Sequence, residues 1–192
     1  MKYGCMLCTG HPRSGTHYIA ALMSVNFLKD EEYLKIYRNH EYPDMVQDPD
    51  TAYIYVWRDF EGTARSIYVL KERFGLNVDS YEAFLDSRYD EMWGIEHPED
   101  VVTHVKTLNE KARFTGISDF FRNVAMTPRG FWEYYNGLWQ ACAKDHPNVI
   151  SVHYDELIQA FQPVMRSVAS RIGSEAVTFR NIDRRVGWWK QA

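Results

Sequence analysis

Thr9-Gly10-His11-Pro12-Arg13-Ser14-Gly15-Thr16-His17-Tyr18 is the stretch on which the reading of the chain turns. An apolar run, Tyr3 to Cys8, precedes it, and Ile19-Ala20-Ala21-Leu22-Met23 follows as the start of a helix. Strand, glycine-bearing turn and helix is the layout of a loop that cradles phosphate. Gly10 and Gly15 let the backbone pass close to a ligand. The N–H groups opening the helix then face an anion, with the helix dipole behind them. Gly10, four residues and Gly15 match the first half of the nucleoside-triphosphatase loop G-x-x-x-x-G-K-[ST]. The second half departs from it: Thr16 stands in the lysine position and His17 in that of the magnesium-holding hydroxyl. Transfer of a γ-phosphoryl group needs both. Arg13 puts a cation inside the loop instead. An ordinary strand-to-helix turn, punctuated by Pro and Gly, is the competing account of the same residues.

Working outward, Tyr3 to Thr9 reads as a central parallel strand, apolar almost throughout. Helix is expected from Thr16 to about Leu28, and a short strand from Tyr33 to Tyr37. Asn39-His40-Glu41-Tyr42-Pro43 reads as a turn, because the residue before proline is pushed out of the helical region. Ala52 to Trp57, rich in β-branched and aromatic residues, is the clearest strand. It ends at Arg58, and Phe60 to Leu70 follows as helix. From Asn77 to about Met126 the pattern is polar and helical, with two or three helices expected. Pro128 opens a longer helix toward Lys144. Val149 to Tyr154 is a further strand, followed by one helix through about Ile172 with Gly173 as its C-cap. Strands alternating with helices imply a parallel sheet with helices on both faces. Ligands of such sheets bind at the carboxyl ends of the strands. Arg13 and Arg58 both fall there, so the two junctions are expected to converge on one ligand with two separated anionic groups.

Bulk properties narrow the function classes. The chain has 192 residues, 45% hydrophobic and 25% charged, enough for one domain with a full core. A net charge of -4 gives no global attraction to nucleic acid or anionic membrane, so any phosphate site is local. Neither a secretory signal nor a membrane-spanning run is visible. The 3 cysteines, Cys5, Cys8 and Cys142, are too few for a disulfide framework and fit a reducing cytoplasm. Cys5 and Cys8 have C-x-x-C spacing but lie inside the expected first strand, where burial explains them better than redox or zinc chemistry.

The motifs together resemble those of sulfotransferases that use 3′-phosphoadenosine 5′-phosphosulfate (PAPS). Pro12-Arg13-Ser14-Gly15-Thr16 resembles that family's 5′-phosphosulfate loop. Arg58, seven intervening residues and Ser66 resemble its 3′-phosphate motif. Val152-His153-Tyr154-Asp155-Glu156-Leu157 is similar to its aromatic-Tyr-acidic-acidic-Leu segment, and Arg185-Val186-Gly187-Trp188-Trp189-Lys190, more weakly, to its carboxy-terminal loop. The physics agrees, since a nucleotide with anionic groups at both ends needs two cation-bearing sites, whereas a triphosphate needs one cradle and a metal.

The resemblance implies a three-layer α/β/α fold with a central parallel sheet, like that of P-loop nucleoside triphosphate hydrolases. It implies a single domain over 1–192 with a helical insertion at about 77–127. Arg13 would hold the 5′-phosphosulfate and stabilise charge on the bridging oxygen as the sulfuryl group leaves. Ser14, Gly15, Thr16 and His17 would offer backbone and hydroxyl donors to the 5′-phosphate. Tyr18 and Tyr154 would flank the adenine. Arg58 and Ser66 would bind the 3′-phosphate, Arg58 as a bidentate fork, with Arg184 and Arg185 closing over it from the tail. His40 is the candidate base for the acceptor hydroxyl, with Glu41 the runner-up. PAPS is then the co-substrate and 3′-phosphoadenosine 5′-phosphate (PAP) the product, with no metal. The acceptor is a hydroxyl or amine of a small molecule or carbohydrate, and neither nucleic acid nor membrane is a partner. Alternatives are a degenerate P-loop nucleotide or nucleoside kinase and a non-catalytic nucleotide-binding protein. Departures from the family pattern are Arg13 in place of the commoner lysine, a short chain, and a tail without the usual Lys-Gly in register.

Overall fold

A computed structural model describes residues 1–28, 35–46, 48–97, 100, 103 and 125–182. Its sheet has four strands in the order β2-β1-β3-β4, all parallel. They are β1 (Cys5–Thr9), β2 (Lys35–Arg38), β3 (Thr51–Trp57) and β4 (Val149–His153). Each matches a strand expected from the sequence, except that Tyr154 starts a helix rather than ending β4.

Alternation along the strands makes the layers. Met6, Cys8, Ala52, Ile54, Val56, Ile150 and Val152 face one side. There they meet α1 (Thr16–Phe27), α6 (Tyr154–Gln159) and α7 (Phe161–Ile172). Leu7, Tyr53, Tyr55 and Val149 face the other side. That side is covered by α2 (Phe60–Tyr68), α3 (Tyr81–Asp86), α4 (Tyr89–Met92) and α5 (Pro128–Asp145). The fold is therefore the expected three-layer α/β/α arrangement. Cys5 and Cys8, three apart on β1, point to opposite faces and are free thiols.

Helix α5 carries the second face. Thr127 caps it, accepting from Gly130 N at 3.3 Å, and Pro128 occupies the first turn. Phe131, Tyr135 and Trp139 recur every four residues and are fully buried. Each such side chain is worth roughly 2–3 kcal/mol of burial. Trp139 stacks on Tyr55, with ring centroids 5.4 Å apart and an 11° angle.

Two expectations are corrected. The single helix expected after β4 is two, α6 and α7, broken at Ala160 (φ -127, ψ 50). The cause is Pro163: in a continuous helix it would lose its bond to Gln159 and clash with that carbonyl. With the break, it falls in the first turn of α7, where no bond is lost. Helix α2 stops at Tyr68 and continues as turns to Gly75. Of the helical insertion expected at about 77–127, α3 and α4 fall within the described residues; the rest of that expectation, and the tail with Arg184 and Arg185, lie outside them.

Chain order defines where a ligand site falls. β1 leads through α1 to β2 on one side, and the chain then crosses to β3 on the other. The carboxyl ends of β1 and β3 thus flank the switch point of the sheet.

Candidate functional site

Residues 10–15 join β1 to α1 as a tight loop. Its packing against β3 leaves no room at Gly10, where a Cβ would lie 2.1 Å from Val56 O. Gly15 caps α1 with φ 107, and a Cβ there would also strike the Tyr154 ring at 2.3 Å. Arg13 has φ 71, a left-handed conformation costly for a non-glycine residue, on the order of 1 kcal/mol. Ser14 Oγ sits 2.6 Å from His11 O and 3.0 Å from Val56 O. Its one proton is shared between a loop carbonyl, His11 O, and a carbonyl of β3, Val56 O. Of the backbone and hydroxyl donors expected at 14–17, the Ser14 hydroxyl braces the loop in this structure. No acidic side chain stands in the first turn of α1 and no side chain caps it. Its first N–H groups have no acceptor within the helix itself and open toward the loop.

Arg13 reaches out of this loop to the second motif. Its Nε donates to Ser66 Oγ at 2.9 Å, across 53 residues of sequence. The phosphate loop and the Arg/Ser motif at the end of β3 are therefore parts of one site. Arg58, immediately beyond β3, lies with its guanidinium 5.2 Å over the Tyr154 ring. Its Nη1 donates to Gly62 O at 3.4 Å, and its Nε lies 3.8 Å from carboxylate oxygens of Asp59 and Asp155. That Nε is buried and has no hydrogen-bond partner. Gly62 makes the room, since a Cβ there would meet Arg58 Nε at 2.6 Å.

Cations gather here. Burial, then the charges of Arg73 and Arg58, hold Arg13 below the usual arginine range. His17, half-buried in the first turn of α1, is lowered to about 3 by burial and then by Arg38, His40, Arg13 and Arg73. An anion bound here would relieve this mutual repulsion.

The candidate base lies at the next strand tip. Asn39 N donates to Cys8 O at 3.1 Å, extending the β1–β2 pairing toward His40. His40 is 7% exposed. Its Nδ1 is 2.7 Å from Gly10 O, and since a carbonyl only accepts, Nδ1 carries the proton. Nε2 is then the lone-pair nitrogen, and Arg38 Nη1 lies 3.5 Å from it. Burial and the Arg38 and Arg13 charges lower His40 to about 4. The turn is fastened from α5: Tyr135 Oη and Trp139 Nε1 both donate to Glu41 O, at 2.9 and 3.0 Å. His11, wholly buried beneath the loop, packs edge-on to Phe131 and Tyr135 at 5.7 Å and is lowered to about 3.

Of the expected site residues, Arg13, Ser14, Gly15, Thr16, His17, Arg58, Ser66 and Tyr154 come together at the tips of β1, β3 and β4, with His40 beside them at β2. Thr16 is buried, 2% exposed. Tyr18 lies against Tyr154 at 6.1 Å, and its hydroxyl donates to Asn181 Oδ1 at 2.6 Å. Arg38 and Arg73 were not singled out by sequence. Arg38 alone had a legible signal, as a cation ending a short strand two residues before His40.

Fold and geometry define an α/β domain in which two arginine-bearing strand-to-helix junctions meet at the carboxyl edge of the sheet. A family model described as "Sulfotransferase domain" matches residues 23–185, and the chain belongs to that family. The match begins within α1, past the loop, so the loop's reading stands on its own geometry. Among solved structures, the chain is similar to a mouse sulfotransferase, SULT7A1, complexed with PAP. The TM-score is 0.57 at 16% identity, over 92% of this chain and 60% of that one. This likeness concerns the fold, and the chain spans about 60% of that protein's length. No curated protein matches. No helix among the described residues is long and apolar enough to cross a membrane.

Proposed function

We propose that the protein transfers a sulfuryl group from PAPS to a hydroxyl, or an amine, of a small-molecule or carbohydrate acceptor, in a reducing cytoplasm. The observation that carries this is the Arg13 Nε to Ser66 Oγ contact at 2.9 Å, which joins the 5′ loop to the 3′ motif. One ligand with phosphate at both ends suits such a cleft. The residues fit it: the orphaned Arg58 Nε and the repelled Arg13 both gain from an anion. The kinase alternative needs a cation at position 16, and Thr16 there is buried.

In this reading, Arg58 and Ser66 hold the 3′-phosphate, and the loop N–H groups at 15–18 hold the 5′-phosphate. Tyr18 and Tyr154 flank the base, with Arg184 and Arg185 as tail contacts. His40 Nε2 takes the proton from the acceptor O–H as its oxygen bonds to sulfur. The bond from sulfur to the bridging oxygen breaks, and its electron pair stays on the 5′-phosphate, where Arg13 meets the new charge. Gly10 O keeps the His40 ring in the required tautomer. Donor charge beside Arg13 and Arg38 raises His40 from about 4 toward the working pH, as a general base requires.

The test is transfer from labelled PAPS to a panel of phenols, alcohols and sugars. Arg13→Ala and His40→Ala are expected to lose at least about a hundredfold in kcat while keeping their far-UV spectrum. Undiminished transfer by both variants would defeat the reading.

A further inference from the structure

We propose that Arg38 caps the basic nitrogen of His40 in the donor-free protein and is drawn away by the donor's anionic end, so that the base is unmasked only after the donor has bound. This rests on the reading of His40 as base and deepens it.

The argument begins with one lone pair. Gly10 O accepts from Nδ1 at 2.7 Å, which leaves a single lone pair in the ring plane, on Nε2. Arg38 is always protonated and can only donate, and its Nη1 lies 3.5 Å from that nitrogen. An acceptor O–H needs the same lone pair. With Arg38 in place, the base is already engaged.

The cap is built to be released. At 3.5 Å it is a long contact, weaker than a guanidinium–phosphate pair, which is shorter and charge-assisted. Arg38 closes the short edge strand β2, opposite Cys8 of β1; its side chain is mostly buried, and among the described residues no carboxylate forms an ion pair with it. The charged and titratable groups around His40 come from every neighbouring element: Arg13 and His11 from the loop, His17 from α1, Cys8 from β1, Arg38 from β2, and Tyr135 from α5 through the Glu41 carbonyl. None of these groups is an anion at neutral pH; the nearest carboxylate in sequence is that of Glu41, whose backbone carbonyl is held by α5. A phosphosulfate entering the loop brings more negative charge than a carboxylate and offers a shorter, charge-assisted partner to Arg38. Its departure does two things at once: it frees Nε2, and it moves a positive charge off the ring. Order follows, donor before acceptor, and the acceptor's proton has no receiver until the donor is seated.

The test is ring ¹⁵N long-range correlation NMR of His40, titrated with pH, in the wild type, Arg38→Met and Arg38→Lys, each with and without saturating PAP. In the free wild type, Nε2 is expected at the position of a hydrogen-bonded imine nitrogen. In free Arg38→Met it moves to that of an uncapped one, and the ring pKa rises by about one unit or more. Arg38→Lys keeps a donor and the charge, and stays near wild type. PAP is expected to uncap Nε2 in the wild type, and to change it less in Arg38→Met, where the cap is already gone. An unchanged Nε2 in free Arg38→Met overturns the cap. Loop amides that shift with PAP while the wild-type Nε2 stays capped overturn the unmasking alone. Loop amides that do not respond to PAP overturn the donor reading itself, and the unmasking with it. Should Arg38→Met fail to fold, the wild-type Nε2 with and without PAP decides.

Discussion

His11, His17 and His40 sit among arginines at the strand tips, and each is held neutral below its ordinary pKa, at about 3, 3 and 4. The sign of the consequence follows from linkage. A histidine depressed in the fold binds its proton more readily in the unfolded chain. Between the unfolded value near 6.5 and the folded value, acid therefore favours unfolding, and the stability present above about 6.5 is lost as pH falls. The two wholly buried rings, His11 and His40, each contribute up to about 1.4 kcal/mol per pH unit in that window; His17, half exposed, adds less. Urea unfolding is expected to show a midpoint that drops steadily from about pH 7 to about pH 4. PAP should flatten the drop, because its charge raises the same histidines. A midpoint that rises on acidification would contradict the burial of these rings.

At the scale of elements, α5 is the brace of the site. Its Phe131, Tyr135 and Trp139 stripe buries against the sheet, and two of those side chains clamp Glu41 O, one residue from His40. Tyr135→Phe removes one of the two donors and leaves Trp139 in place. It is expected to cost about 1 kcal/mol of stability. In steady-state kinetics, kcat should fall several-fold with little change in KM for PAPS, since the phosphate sites lie on other elements. An equal loss in KM would mean that the brace serves the nucleotide instead. This division also marks what sequence could and could not yield. Arg13, Arg58 and Ser66 were legible because each pair of strand and helix encodes its own junction: a loop spacing in one, an arginine and a serine two helical turns apart in the other. The turn around His40 was legible through Pro43. The Tyr135 and Trp139 clamp was not, because it joins residues 94 and 98 positions apart, which no local pattern records. The contact of the Ser14 hydroxyl with Val56 O, 42 positions on, was hidden for a similar reason. The break at Ala160 was readable in principle from Pro163, whose missing N–H a single long helix ignored.

For the whole molecule, the two halves of the sheet are joined at the strand tips by opposed cations, and a doubly anionic nucleotide should tighten them. PAP, at about a hundred times its Kd, is expected to stabilise the fold by on the order of 3 kcal/mol, a rise in Tm of several degrees. ATP with magnesium should do much less, because its phosphates are contiguous and the loop offers Arg13 and Thr16 where a triphosphatase has lysine and a hydroxyl metal ligand. Arg58→Ala should remove most of the PAP shift with only a small change in the Tm of the free protein, since the relief of cationic repulsion offsets the lost contacts with Tyr154, Asp59 and Asp155. A larger shift with ATP and magnesium than with PAP would transfer the molecule to the kinase reading. The most direct test of the central claim is the crystal structure of the PAP complex. The account predicts one nucleotide spanning the cleft, its 5′-phosphate on the backbone N–H groups of residues 15–18 beside Arg13, and its 3′-phosphate on Arg58 and Ser66. A nucleotide that leaves either arginine unengaged, or Arg13 and Arg58 opening into separate cavities, would contradict it.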